Sequence, residues 1–450
     1  MNIQLSDHFD YKRIFRFTMP SVLMLVFTSI YGVVDGLFVS NFVDKTAFTA
    51  INFIWPYMMI LGAAGFMLGT GGSALISKIL GEDGAGGDNA ASGSRANRTF
   101  SMLIYVSLIL GALLGLVGVL TVRPVASLLG AKGDMLEDCV LYGTVLSISM
   151  PAFIMQNEFQ SLCVTAEKPK LGLAVTVGAG VTNMILDALL VAVFPLGLLG
   201  AALATAASQI IGAAIPLVYF ARANGSLLRL GAPTLSLRAL GRMCFNGSSE
   251  LLANISMSLV GMLYNAQLMH HAGEDGVAAY GVLMYVNFIF ISAFIGYAVG
   301  IAPVVGYHYG AGNTPELRSL RKKSTRIVLV ASAAMFIISE LLAYPLSYLF
   351  VGYDGVLMDM TLRGFRIYSF CFLFAGLAIF ISSFFTALND GLISAVQSFA
   401  RTIVFQVAGV LLLPIWLGLD GIWLSVVASE LLALSLGIAL LRFFKKKYNY

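Results

Sequence analysis

Residues 197–208 read GLLGAALATAAS, and residues 418–429 read GLDGIWLSVVAS. Both glycines and the closing Ala-Ser pair recur at an offset of 221. One such match carries little weight, because glycine and alanine are common in membrane helices. This one belongs to an ordered series. At an offset of 229, Ser29 and Gly32 fall on Ser258 and Gly261, Ala50 on Ala279, and Gly81 on Gly310. Further along, Tyr142 meets Tyr368 and Thr165-Ala166 meets Thr386-Ala387. The matches keep their order across six segments of each half, which reads as an internal repeat. Halves with six spans each insert the same way up and are related by an axis along the membrane normal. The expected shape is two bundles flanking a central cavity.

Composition supplies the medium. The 450 residues are 58% hydrophobic and 11% charged, with a mean hydropathy of +0.87; a soluble domain carries about 25% charged residues. A spanning helix needs about 20 apolar residues. That ruler predicts spans at 14–41, 48–80, 98–122, 138–165, 169–194, 197–221, 241–270, 276–309, 325–351, 361–387, 391–414 and 418–442. The fold class is therefore an all-α polytopic membrane protein, with twelve transmembrane helices in two pseudo-symmetric six-helix bundles. The bundles are expected at 1–221 and 241–450, joined by a cytoplasmic linker at 222–240 with room for a short amphipathic surface helix. Two further stretches, GEDGAGGDNAASGSR at 81–95 and AGNTPELRSLRKKS at 311–324, read as polar loops. Alternate loops collect 21 and five of the Lys and Arg residues. By the positive-inside rule both termini face the cytoplasm of a bacterial plasma membrane.

Other classes recede. The net charge of +4 suggests no nucleic-acid partner. Cys139, Cys163, Cys244 and Cys371 lie far apart, mostly in apolar surroundings, and read as small hydrophobes rather than a disulfide or zinc framework. The opening MNIQLSDHFDYKRIFRF, with two acids and no A-x-A site, does not read as a cleaved signal peptide. No GxxxxGK[ST] phosphate loop appears, nor any nucleophile or metal-ligand motif, so no enzyme and no cofactor is expected. The partners are the bilayer and small molecules, and the chain is expected as a monomer.

An ionisable residue within a span costs about 2.5–3.5 kcal/mol on insertion scales, so those retained invite a reason. Asp35 lies in SIYGVVDGLFVS of the first span and Asp187 in VTNMILDALLV of the fifth. Asn183 precedes Asp187 by four residues and shares its helix face; Thr205 sits mid-span in the sixth helix. Brought together, two carboxylates with amide and hydroxyl oxygens form a hard-oxygen site for a monovalent cation, or for protons. The repeat tests this within the sequence. Asp35 aligns with Tyr264, and Asn183, Asp187 and Thr205 with Val404, Ala408 and Val426. The C-terminal half lacks the whole set, which favours coupling over folding; the alternative is separately satisfied polar contacts between helices. Glu250 opens the seventh span, either as an acid at a helix N-terminus or as a cavity acid attracting cations. Gln156, Asn157 and Glu158 of the fourth span, with Tyr31 and Asn265, are cavity candidates for substrate contact. Glu430 and Arg401 are placed to pair, Glu340 is ambiguous, and His270 and His271 sit at an outer loop end.

These segments resemble the multidrug and toxic compound extrusion family over nearly the whole chain. The resemblance rests on the Asp35 segment, GTGGSALISKILG at 69–81, TAEKPKLG at 165–172, TNMILDALLV, and GIAPVVGYHYGAGN at 300–313, in that order. It looks closest to the bacterial branches called MepA-like or DinF-like. The resemblance implies two V-shaped lobes of six helices and antiport of cationic, amphipathic compounds against sodium or protons. It also implies an ion site at Asp35, Asn183, Asp187 and Thr205. The NorM-like branch adds an acid on the seventh helix, similar to Glu250, and another on the tenth. Here the tenth span, FAGLAIFISSFFTAL, has none, which moves the weight to the N-terminal lobe. The rivals are a lipid-linked oligosaccharide flippase of the same superfamily, which should carry several cations in central spans where only Arg401 is found, and a channel or non-transporting receptor.

Overall fold

The computed structural model describes residues 3–43, 45–85, 89–352 and 354–450; at 33, 35–42, 45, 48, 85, 89–94 and 274 it describes the backbone alone. Among the described residues there is no strand. In hydrocarbon every backbone N–H and C=O must be satisfied within its own segment, and only the helix achieves this without closing a barrel.

The first bundle holds α1 (Tyr11–Phe42), α2 (Lys45–Ala85) and α3 (Asn89–Leu129). It continues with α4 (Gly133–Ile148 and Met150–Thr165), α5 (Pro169–Asp187 with the π-helical turn Ala188–Val193) and α6 (Gly197–Ala221). The continuous helix Leu237–Gly310 breaks its geometry at Gly273, whose φ of 65° lies in the left-handed region. It therefore counts as two spans, α7 (237–272) and α8 (274–310). After them come α9 (Thr314–Val351), α10 (Gly355–Ser369 and Phe372–Ala387), α11 (Gly391–Phe399, the π-helical turn Ala400–Phe405, then Gln406–Leu417) and α12 (Leu419–Tyr448). Among the described residues, nine continuous helices and two bent pairs are long and apolar enough to cross a membrane. The twelfth span is α7, whose apolar run is interrupted by Asn254, Asn265 and Gln267.

The duplication is visible in the defects as well as the helices. The fourth helix of each half is broken, α4 by 60° and α10 by 45°. In α4 the cause is Pro151, which has no N–H to return to the carbonyl four residues back. The fifth helix of each half carries a π turn, at different points of the repeat, a feature frequent at functional sites.

Three expectations change. The Gly-rich stretch 81–95 is mostly helical, with α2 running to Ala85 and α3 starting at Asn89. The basic segment 311–324 is a short turn followed by α9, which is capped by Asn313 accepting from the Glu316 N–H at 3.3 Å. The linker forms no surface helix over 222–236. It runs extended and is pinned to α3 by Arg229 N–H to Asn97 Oδ1 (2.9 Å) and Gly231 N–H to Ser101 Oγ (2.8 Å). Composition marked the first two as polar but could not see helices continuing beyond the membrane.

The apolar core divides with depth. Away from the chain termini it forms two separate clusters. One, centred on Ile54, Tyr142 and Leu198, draws only on the first bundle; the other, centred on Tyr264, Phe372 and Trp423, draws only on the second. Toward the termini one cluster spans both, joining Phe100, Phe159 and Phe220 to Val304, Leu320 and Phe384. The bundles are thus in contact at the terminus-bearing side and have separate cores at the other.

Glycines make that contact close. A Cβ on Gly71 would strike the Met243 carbonyl oxygen and lie 2.9 Å from the Gly247 N; one on Gly247 would strike the Met67 carbonyl. Across the pseudo-axis, a Cβ on Gly300 would lie 3.0 Å from Thr18 Cα, and one on Gly296 2.6 Å from Val22 Cα. Likewise Gly81 abuts the Tyr307 carbonyl and Gly310 the Lys78 carbonyl, two contacts that exchange under the offset of 229. For the first contacts to exchange, α2 maps to α8 at 229 but α1 maps to α7 at 225. The sequence alignment of the first helix was therefore one helical turn out of register, a slip that keeps the same face. Asp35 then meets Val260 rather than Tyr264, and the second half still has no acid there.

The N-terminal segment fastens the same side. Leu5 and Phe9 are fully buried, each worth about 1.5–3 kcal/mol relative to exposure. The Leu5 N–H donates to Glu167 Oε1 at 2.5 Å and the Phe9 N–H to Glu316 Oε1 at 2.9 Å. His8 Nδ1 lies 2.6 Å from Glu316 Oε2, and Lys323 Nζ donates to the Phe9 carbonyl at 2.6 Å. A segment continuous with α1 is thereby docked on α9 of the other bundle.

Candidate functional site

In the first bundle the site is built by α1, α5 and α6. Helices α1 and α5 run parallel and touch at small residues. Gly172 faces Met24, and Gly180 faces Phe27 and Tyr31, with Tyr31 Cγ 3.2 Å from where a Cβ would sit. One turn beyond Tyr31 comes Asp35, whose backbone belongs to α1 and whose side chain lies outside the described residues. One turn beyond Gly180 comes Asn183, then Asp187. Both are buried, Asp187 completely. The hairpin to α6 closes with Gly200 against the Leu190 carbonyl, which brings Thr205 back to the depth of Asn183 and Asp187.

Two of the polar side chains here, Asn183 and Thr205, are left over from folding among the described residues. Neither amide atom of Asn183 nor the Thr205 hydroxyl has a hydrogen-bond partner among the described residues. A buried amide left unmade costs about 1–3 kcal/mol, so such groups ask for a ligand. Their oxygens, with the buried Asp187 carboxylate, are hard donors of the kind a small monovalent cation takes. The π turn begins at Ala188, directly after Asp187.

In the second bundle, Arg401 and Glu430 pair. Arg401 Nε donates to both carboxylate oxygens, at 2.8 and 3.1 Å, from within the π turn of α11 to α12. The side chains are 17% and 4% exposed. Glu250 of α7 is half-buried and lies in electrostatic reach of the same guanidinium. Beside them the Tyr264 hydroxyl meets Ser425 Oγ at 2.7 Å and its ring stacks on Tyr280.

The remaining candidates disperse. Tyr31 packs with Phe27 over Gly180 and belongs to the first site. Gln156 lies against Gly212 of α6, and Asn157 is buried with an amide nitrogen that has no partner among the described residues. Glu158 is completely enclosed beside Gly69 of α2, so in this conformation it lines no open space; the packing of α2 onto α4 closes over it. Asn265 is exposed on α7, and His270 and His271 are exposed at its end. Glu340 accepts from the Ser369 hydroxyl at the α10 bend.

Two functional features escaped sequence reasoning. The glycine contacts between bundles were partly signalled by the Gly81 and Gly310 match, but a glycine in a membrane helix does not say which backbone it faces. The docking of residues 5–9 onto Glu316 carried no signal, since it pairs groups more than 300 residues apart.

The MatE family model matches residues 20–189 and 251–412. The multidrug export protein MepA of Staphylococcus saprophyticus is 23% identical over 94% of this chain and 92% of its own. MepA of Staphylococcus aureus strain MRSA252 is 24% identical over the same shares. Among solved structures, a multidrug resistance MATE family transporter of the MOP superfamily in an outward-facing conformation superposes with a TM-score of 0.88 at 22% identity, covering 100% of this chain and 98% of that one.

Proposed function

The chain belongs to the MatE family, and from that premise we propose that it exports amphipathic, often cationic, compounds by cation-coupled alternating access. The two bundles, 1–221 and 241–450, are the moving units, and 222–240 tethers them. With both termini in the cytoplasm of a bacterial plasma membrane, the joined side is cytoplasmic and the described conformation opens outward. In this state sodium or protons reach Asp35, Asn183, Asp187 and Thr205. Their binding removes net negative charge from the first bundle and alters how α1 packs on α5, which favours drug release. Return of the bundles exposes the drug site to the cytoplasm and inner leaflet, and the ion leaves down its gradient. The protein works as a monomer in the bilayer and catalyses no covalent step.

The observation that carries this reading is the buried amide of Asn183 and hydroxyl of Thr205, which find no hydrogen-bond partner among the described residues, beside Asp187 in one bundle and absent from its repeat. MepA relatives named as multidrug exporters support the substrate class. The test is ethidium transport in proteoliposomes under an imposed sodium or pH gradient. The account expects accumulation against the ethidium gradient, driven by one of the two. A channel would give equilibration only, and a lipid-linked-sugar flippase would leave ethidium unmoved.

A further inference from the structure

We propose that Arg401 is the built-in counter-cation of the C-terminal bundle. It stands where an exchangeable ion would otherwise be needed and so confines ion coupling to the N-terminal bundle. The proposal deepens the antiport reading and rests on it.

The fifth helices of the two bundles carry charge of opposite sign, at different points of the repeat. Helix α5 carries Asp187 at the start of its π turn, and α11, its repeat mate, carries Arg401 inside its own. At the offset of 221, Arg401 and Glu430 correspond to Gly180 and Gln209. Gly180 is the bare surface on which Tyr31 rests, and Gln209 accepts from Ser149 Oγ at 2.7 Å as a neutral structural contact. The ion pair is therefore peculiar to the second bundle.

The first bundle has no equivalent cation. Helix α1 has no Lys or Arg after Arg16, α5 none after Lys170, and α6 none at all. None of these three helices supplies a cationic side chain at the level of Asp187. In the second bundle the neutralising charge is covalently attached. A guanidinium does not deprotonate in proteins, so this positive charge cannot be exchanged. Its Nε is committed to Glu430 at hydrogen-bonding distance, while its field reaches Glu250 on the facing helix. Two carboxylates and one guanidinium leave a net charge of −1, borne at Glu250, which is only partly buried. Without Arg401 the cluster would hold two uncompensated carboxylates in a low-dielectric setting. It would then recruit a proton or a sodium ion, because an isolated buried carboxylate neutralises rather than remain charged.

The experiment compares wild type with Arg401→Gln, purified in lipid nanodiscs without drug or gradient. Infrared difference spectra count protonated carboxyls in sodium-free buffer, and radioactive sodium counts bound ions. Arg401→Gln should gain one protonated carboxyl, or one bound sodium ion when sodium is supplied, and the gain should persist in an Asp35→Asn background. Arg401→Gln/Glu430→Gln restores the net charge of −1 and should return to the wild-type count with gradient-driven transport intact. Unchanged counts in Arg401→Gln would overturn the proposal. If Arg401→Gln does not fold, the neutral pair decides: folded protein with lost ion coupling would show that these charges take part in exchange and would refute it. Failure of antiport in wild type would leave the counts at rest untouched, so the two readings fail separately.

Discussion

Replacing Gly71 with alanine should push the protein out of the conformation described here. The new Cβ would press on the Met243 carbonyl oxygen and on the Gly247 nitrogen 2.9 Å away. Both are backbone atoms, so no side-chain rotation relieves the overlap, and α2 and α7 must part by on the order of 1 Å. Overpacking by a methyl group costs about 1–3 kcal/mol. The cost falls only on the state in which the bundles are joined at the terminus side. It therefore converts to a shift of about 5–150-fold in the ratio of the two states. Spin labels at exposed Lys170 and Arg318, one on each bundle, in a background without the native cysteines, would read the ratio by double electron–electron resonance. Gly71→Ala should populate a longer distance, and Gly247→Ala, Gly296→Ala and Gly300→Ala should do the same from the other contacts. Gly178→Ala, with nothing within 4 Å of its Cβ, should leave the distribution alone. Equal distributions in Gly71→Ala and wild type would refute the reasoning, because the close approach of α2 and α7 would then not hold the joined state together.

Three further outcomes follow from the same contacts. Glu316→Gln weakens the bonds to His8 and the Phe9 N–H; losing one charge-assisted bond should speed tryptic cleavage at Lys12 and Arg13 about tenfold, which a time course would measure. Asp187→Ala should weaken sodium or proton binding more than drug binding, and equal ion affinity by calorimetry would count against it. Burial pushes the Asp390 carboxyl up, but hydrogen bonds from Tyr448, Lys447 and the Ile393 N–H outweigh it and leave it below the ordinary aspartate value. A lowered carboxyl stabilises above its unfolded pKa and loses that contribution as pH falls through the folded value. Docking of residues 445–450 should therefore weaken below about pH 4, read as faster tryptic cleavage at Lys445, Lys446 and Lys447 after brief acid exposure, and Asp390→Asn should show the weakened docking at neutral pH.

Much of the fold could be read from the chain because lipid enforces it. Twelve apolar stretches have few alternatives to helices, and the Gly197 and Gly418 segments betray the duplication. What composition could not reveal are rearrangements of backbone hydrogen bonds: the two π turns and the 45° bend of α10, which occurs without proline. The one-turn slip between α1 and α7 was hidden for a related reason, since i and i+4 share a face and pattern alone cannot separate them. At the candidate site, Asn183 and Asp187 announced themselves by a spacing of four within an apolar run. Arg401 and Glu430 were visible as charges, and their pairing needed only that α11 and α12 be neighbours. Asn265 and Glu158 were not separable by sequence, because depth in a span does not say whether a residue faces solvent, a cavity or another helix.

The central claim is that carboxylates of the first bundle exchange a small cation to drive export. Ethidium efflux from vesicles with imposed sodium or pH gradients, comparing wild type with Asp35→Asn and Asp187→Asn, tests it most directly. The account expects gradient-driven transport to disappear in both variants while ethidium binding to the purified proteins persists. Export by either variant at the wild-type rate, under the same gradient, would contradict it.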